Sequence, residues 1–115
     1  MGNHIGTPRK VLLIATGGTI ACRETENGLA PVLDGESLLR ELPELASVCD
    51  TEVLDLMQRD STDITAAERM QMARAVWERR GEYDGFVIAH GTDTLACTAA
   101  LLHHLLPGID RPVVV

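Results

Sequence analysis

The sequence predicts an α/β fold, a doubly wound, mostly parallel sheet with helices on both faces. Three observations carry this. Residues 11–14 and 86–89 are continuous apolar runs, not alternating ones, as strands buried on both faces require. Strand-like and helix-like stretches alternate along the chain, the pattern of a sheet wound through crossover helices. Hydrophobic residues make up 45% of the 115 residues but aromatic ones only 3%, so the core is built of Leu, Val, Ile, Ala and Met, the usual filling between a parallel sheet and its helices. A chain of this size forms one domain at most and buries roughly two-thirds of its unfolded surface.

Residues 1–9 read as a flexible leader, and residues 10–115 as the domain. Residues 11–15, entered through Lys10, form a central strand that runs into Thr16-Gly17-Gly18-Thr19-Ile20-Ala21. Two successive glycines allow positive φ and bring backbone N–H groups close to whatever lies over the turn, as a nucleophile with an oxyanion partner needs. Taken alone, a plain βα or hairpin turn accounts for it equally well. Residues 23–28 are polar and end in Asn27-Gly28, which predicts a hairpin or a mobile loop.

Asp34 is a natural cap for a helix over residues 36–42, with Pro43 limiting it or starting a second short one. Residues 51–57 predict a strand delivering Gln58-Arg59-Asp60-Ser61-Thr62-Asp63. Thr65-Ala66-Ala67-Glu68 has the spacing of a capping box. In the helix it opens, Ala66, Met70, Ala73 and Trp77 fall on one stripe flanked by Met72 and Val76, which predicts that this stripe faces the sheet. Residues 83–90 predict a further central strand, and residues 94–106 a helix with Leu95, Ala99, Leu102 and Leu106 inward, stopped by Pro107-Gly108. Residues 111–115 open another strand. A parallel strand normally feeds a crossover, so the chain is expected to be a portion of a longer one.

The net charge of -7 argues against non-specific binding to nucleic acid or to an anionic membrane. Cys22, Cys49 and Cys97 are odd in number and lack CxxC spacing, against both a disulfide framework and a zinc site. No run is long enough to span a bilayer and the start has no signal-type apolar region, so the expected location is cytoplasmic. His103 and His104 are adjacent on a helix and point in different directions, which argues against a metal there. The Thr16–Thr19 turn lacks the Gly-Lys-Ser/Thr of a P-loop and the third glycine of a dinucleotide fingerprint.

The second apolar run ends in His90-Gly91-Thr92-Asp93-Thr94, a plan like that of the first, and ligands of parallel sheets gather at strand carboxyl ends. In order and spacing, Thr16–Ala21, Asp60–Asp63 and His90–Thr94 resemble the signatures of the bacterial-type L-asparaginase/glutaminase family. The resemblance runs from about Lys10 to the last residue, over an amino-terminal portion of a family member. It implies an amidohydrolase that converts L-asparagine, with some L-glutamine, to the acid and ammonia through an acyl-threonine intermediate, without metal or cofactor. By matching motifs, Thr19 is the nucleophile, Thr92 the second catalytic threonine, and Asp93 both a relay member and the partner of the substrate ammonium. Asp60, Ser61 and Thr62 match residues lining the pocket for the α-carboxylate and α-amino groups. Hydroxyls and backbone N–H groups suit a carboxylate, and a carboxylate suits an ammonium. Ser61, Thr62 and Asp63, like Thr92, Asp93 and Thr94, are also natural helix caps whatever the function. His90 reads as a hydrogen-bonded structural residue.

Two departures qualify the resemblance. The family relay uses a lysine, and Lys10 is the only one here; at about 3.3 Å per residue it stands roughly 20 Å from the far end of its strand. The family's lysine is expected from sequence beyond Val115, and its acidic residue from a neighbouring subunit, so the 115-residue chain alone is expected to be a poor amidase. The family's lid tyrosine is replaced by Leu29. The resemblance further implies a homodimer or homotetramer for the full-length form. Two other readings stand beside this one: the amide-hydrolysing component of a tRNA-dependent amidotransferase, against which the absence of a domain before Thr16 argues, and a non-enzymatic α/β module binding a small ligand.

Overall fold

A computed structural model describes residues 9–17, 22–25, 28–31 and 35–115. Thr19 and Asp34, with the sequence expectations attached to them, lie outside the described residues, as does nearly all of the leader. Four parallel strands form the sheet: β1 (Lys10–Ala15), β4 (Asp50–Asp55), β5 (Gly85–Ala89) and β6 (Val113–Val114), in the order β4-β1-β5-β6. Between β1 and β4 lie the antiparallel hairpin β2 (Cys22–Thr25) and β3 (Gly28–Pro31), the short helix α1 (Gly35–Arg40) and a 3₁₀ segment, Pro43–Ser47. Helix α2 (Ala66–Arg79) joins β4 to β5, and α3 (Leu95–Leu105) joins β5 to β6. The hairpin expected of the polar stretch is thus met in its described residues, 22–25 and 28–31.

In-register pairing puts Leu12, Ile14, Phe86 and Ile88 on one face of the sheet. There they pack with Met72 and Val76 of α2 and with Leu102 and Leu106 of the α3 segment, forming the buried core. Helix α1 lies on the other face. Its Gly35 sits so close to β4 that a Cβ would come within 2.2 Å of Val53 Cγ1, and its N–H donates to Asp55 Oδ1 at 2.7 Å. Helices therefore cover both faces, as a doubly wound fold requires. Beyond α1 this second face opens into an apolar groove of about 580 Å³, lined by Val11, Leu13, Leu38, Val87 and Leu95 among others.

The capping box forms as expected: Thr65 Oγ1 accepts from the Glu68 N–H at 3.2 Å, and Glu68 Oε1 accepts from the Thr65 N–H at 3.0 Å. The inward stripe of α2 differs from the one expected. Met72, Ala73, Ala75 and Val76 are buried, while Met70 and Trp77 are 53% and 40% exposed. The helix is turned by about one residue position, roughly 100°. Arg69 joins the inward row by bonding to α3, and Trp77 stacks outside against Arg80, whose guanidinium carbon lies 3.9 Å from the ring centroid. On α3 the inward residues are Thr98, Leu102 and Leu106, with Leu95 and Ala99 only half-buried.

Candidate functional site

The carboxyl ends of β4, β1 and β5 lie side by side, with β1 in the middle. The chain leaves β1 for one neighbour and returns past it to the other, so this is where the winding reverses and where open α/β sheets present a crevice. Three loops leave these ends, and hydrogen bonds tie each to the next. Thr16, fully buried, donates both its hydroxyl (2.6 Å) and its N–H (3.2 Å) to the Ala89 carbonyl. Its own carbonyl accepts from the Arg59 N–H at 2.8 Å. Gly17 has φ +91°, and a Cβ there would meet Arg59 N at 2.8 Å, so glycine is required both by conformation and by the approach of the second loop.

The second and third loops meet at Ser61. Buried to 1% exposure, it accepts the Asp93 N–H on Oγ at 3.0 Å, while its carbonyl accepts the Thr94 hydroxyl at 2.7 Å. Asp60 caps the 3₁₀ turn Ser61–Asp63, its Oδ1 accepting from the Thr62 N–H at 3.2 Å. The Arg59 guanidinium pairs with Glu68 at 2.8 Å and so fastens this loop to the start of α2. Glu68 is held below the ordinary carboxylate range, first by the Thr65 backbone N–H and then by the Thr65 hydroxyl and the Arg59 charge. Within the third loop His90 is buried, with Nε2 2.8 Å from Thr98 Oγ1 and Nδ1 2.5 Å from the Gly91 carbonyl.

Of the residues singled out in sequence, Asp60, Ser61, Thr62, Thr92 and Asp93 are gathered on these two adjoining loops, with Thr92 and Asp93 exposed. Thr16, two residues along the backbone from the stretch holding Thr19, is fully buried and donates its hydroxyl proton to the Ala89 carbonyl. Lys10 is at the opposite end of β1, its Nζ 2.9 Å from Glu52 Oε1. Sequence reasoning missed Arg69 and Thr98, which back the third loop from two helices. Their signal was a polar residue at an inward helical position, and such positions are hydrogen-bonded when buried. Among the described residues no cluster of His, Cys, Asp or Glu is arranged to hold a metal.

Residues 10–115 match the family model described as asparaginase, N-terminal. The chain belongs to the asparaginase family. Among relatives, the L-asparaginase of Thermococcus kodakarensis is 39% identical over 110 residues, covering 91% of this chain and 32% of that protein. L-asparaginase 1 of Escherichia coli K12 is 36% identical, over 93% of this chain and 33% of that one. The solved structure of the Thermococcus enzyme superposes with a TM-score of 0.67 at 41% identity, over 81% of this chain and 29% of that one. This asparaginase-family chain thus spans about a third of the length of the curated relatives it matches. Among its described residues no helix is long and apolar enough to cross a membrane.

Proposed function

We propose that this chain supplies the nucleophile side of an amidohydrolase site that converts L-asparagine to L-aspartate and ammonia through an acyl-threonine intermediate. The observation that carries the reading is the Ser61 junction, where the Asp60–Asp63 and His90–Thr94 motifs share two hydrogen bonds beside the end of β1. In this reading Thr19 attacks the side-chain amide carbonyl, and N–H groups of the glycine turn receive the developing oxyanion. Asp93 accepts the substrate ammonium. Ser61 accepts the Asp93 N–H on Oγ and retains its hydroxyl proton to donate to the α-carboxylate, with Asp60 and Thr62 lining the same pocket. Thr92 stands beside Asp93 as the second catalytic threonine.

The test is ammonia release from L-asparagine and L-glutamine by the 115-residue chain and by a product extended through the downstream reading frame, each with T19A, T92A and D93A. The expected outcome is poor turnover by the 115-residue chain, because its single lysine is bound at the wrong end of β1, and turnover by the longer product that each substitution abolishes. Turnover that survives T19A overturns the acyl-threonine step. A second reading is supported by a 39% identity to a component of the glutamyl-tRNA(Gln) amidotransferase of Methanopyrus kandleri, over 90% of this chain and 24% of that protein. Glutamine hydrolysed well in preference to asparagine would favour it.

A further inference from the structure

We propose that His90 is a positioning residue in a one-way hydrogen-bond chain that runs from Arg69 through Thr98 and the imidazole to the Gly91 carbonyl, and that its Nδ1–H anchors that carbonyl and with it the Thr92–Asp93 turn. The direction of the chain is set at its two ends, by a group that can only donate and a group that can only accept. Arg69 Nε–H can only donate, and it reaches Thr98 Oγ1 at 2.7 Å. The Thr98 hydroxyl therefore accepts from Arg69 and has one proton to give, and the group facing it at 2.8 Å is His90 Nε2. The Thr98 oxygen keeps a second lone pair, so the Nε2 end by itself admits either direction. The other end decides it: Nδ1 lies 2.5 Å from the Gly91 oxygen, an acceptor only, so Nδ1 carries the proton, and in the neutral ring Nε2 is then the acceptor for the Thr98 hydroxyl.

Arg69 is on α2, Thr98 on α3 and His90 at the end of β5, and both Thr98 and His90 are buried. Fixing the Gly91 carbonyl fixes the Gly91–Thr92 peptide plane, because the peptide bond is planar. The next N–H but one, that of Asp93, then meets Ser61 Oγ at 3.0 Å. Packing of the two helices is in this way transmitted to the orientation of Thr92 and Asp93. The consequence for turnover rests on the amidohydrolase reading above, whereas the tautomer and the order of the turn do not.

The experiment uses the 115-residue chain and two readouts. Long-range ¹⁵N–¹H correlation of the imidazoles is expected to show His90 protonated on Nδ1 and not on Nε2, with the Nε2 resonance unchanged in T98S and moved toward that of an unbonded imine nitrogen in T98V. Hydrogen exchange of the Asp93 amide, referred to that of Ile88 so that loss of global stability cancels, separates positioning from packing. Asn places its amide N–H near the Nδ1 position and Gln near Nε2. H90N is expected to keep the protection within about threefold, whereas H90Q lowers it about tenfold, the loss of roughly one net hydrogen bond. An Nε2–H tautomer, a T98V spectrum like that of the unaltered chain, or equal effects of H90N and H90Q on Asp93 overturns the proposal. If instead these results hold and the extended product releases no ammonia, the amidohydrolase reading fails and the positioning role stands.

Discussion

The two ends of the sheet are both polar, and they are built differently. At the amino end, Lys10, Glu52 and Tyr83 form a titrating cluster: the Tyr83 hydroxyl donates to Glu52 Oε2 at 2.6 Å, Lys10 Nζ pairs with Glu52 Oε1 at 2.9 Å, and the Lys10 N–H donates to Asp84 Oδ2 at 2.8 Å. At the carboxyl end the loops are held mainly by hydroxyls and backbone groups, Thr16 to Ala89, Arg59 N–H to Thr16 and Asp93 N–H to Ser61, with Glu68 as the charged tie. Ionic side chains already satisfied by one another have little left for a ligand. A loop framework closed through its backbone leaves Asp93 and Thr92 exposed, their side chains not spent on bonds to the other described residues. Polarity alone therefore does not distinguish the two ends; the allocation of hydrogen-bonding capacity does.

The largest expected effect tests whether the carboxyl end is a rigid junction. Gly17→Val places a Cβ against Arg59 N and O, at 2.8 and 3.0 Å, in a backbone conformation that L side chains rarely adopt. A loss of at least about 2 kcal/mol is expected in urea denaturation, with the 58–63 loop displaced. A variant as stable as the parent would mean that the two loops do not pack as described. Next comes Ser61→Ala, which leaves the Asp93 N–H without its acceptor. It is expected to cost about 1–2 kcal/mol and to speed Asp93 amide exchange relative to Ile88. If Asp93 exchange is unaltered, the two motifs are not joined through this residue.

The amino end should respond to pH instead. Glu52 lies below its ordinary value of 4.5, first because Tyr83 donates to it and then because Lys10 does. A depressed carboxyl contributes stability that is present above 4.5 and lost as pH falls through the folded value. Tyr83 is raised above 10.0, chiefly by its bond to Glu52, so its contribution is present below 10.0 and lost as pH rises through the folded value. Tyr83 is the only tyrosine in the chain, so ultraviolet titration reads it directly. Glu52→Gln is expected to flatten the acid limb of stability and to move the Tyr83 titration down toward 10.0. No movement would mean that the phenol does not donate to this carboxylate.

The strands were legible because two-face burial writes itself as continuous apolar residues, and β1 and β5 appear where residues 11–15 and 83–90 predicted them. The capping box of α2 was legible for a local reason, since Thr65 and Glu68 satisfy one another within one turn. The inward face of α2 was not. Apolar character placed Met70 and Trp77 inward, but Trp77 finds Arg80 outside and Arg69 finds Thr98 inside, and those partners are set by tertiary packing. Of the site, the meeting of the turn after β1 with the His90–Thr94 loop could be foreseen from strand ends, whereas the place of Asp60–Asp63 beside them followed from the family resemblance. The spending of Thr16 on Ala89, 73 residues away, could not, because no local pattern records which distant carbonyl a strand-end threonine meets.

The smallest expected effect bears hardest on how the ends divide the work. Lys10→Ala removes the only lysine in the chain, the residue type the family resemblance requires in the relay. Lys10 is raised above 10.5 mainly by its bond to Glu52, and both side chains of the pair are largely solvated, 41% and 47% exposed, so the pair contributes little to stability. Its position at the first residue of β1 keeps it a full strand length from the Ser61 junction. Any ammonia release by a competent form of the protein is therefore expected to persist in Lys10→Ala with kcat and KM unchanged. A collapse of kcat with stability intact would place a working base at the amino end and break the division between the two ends. Persistence requires the proton acceptor to be a group other than this lysine.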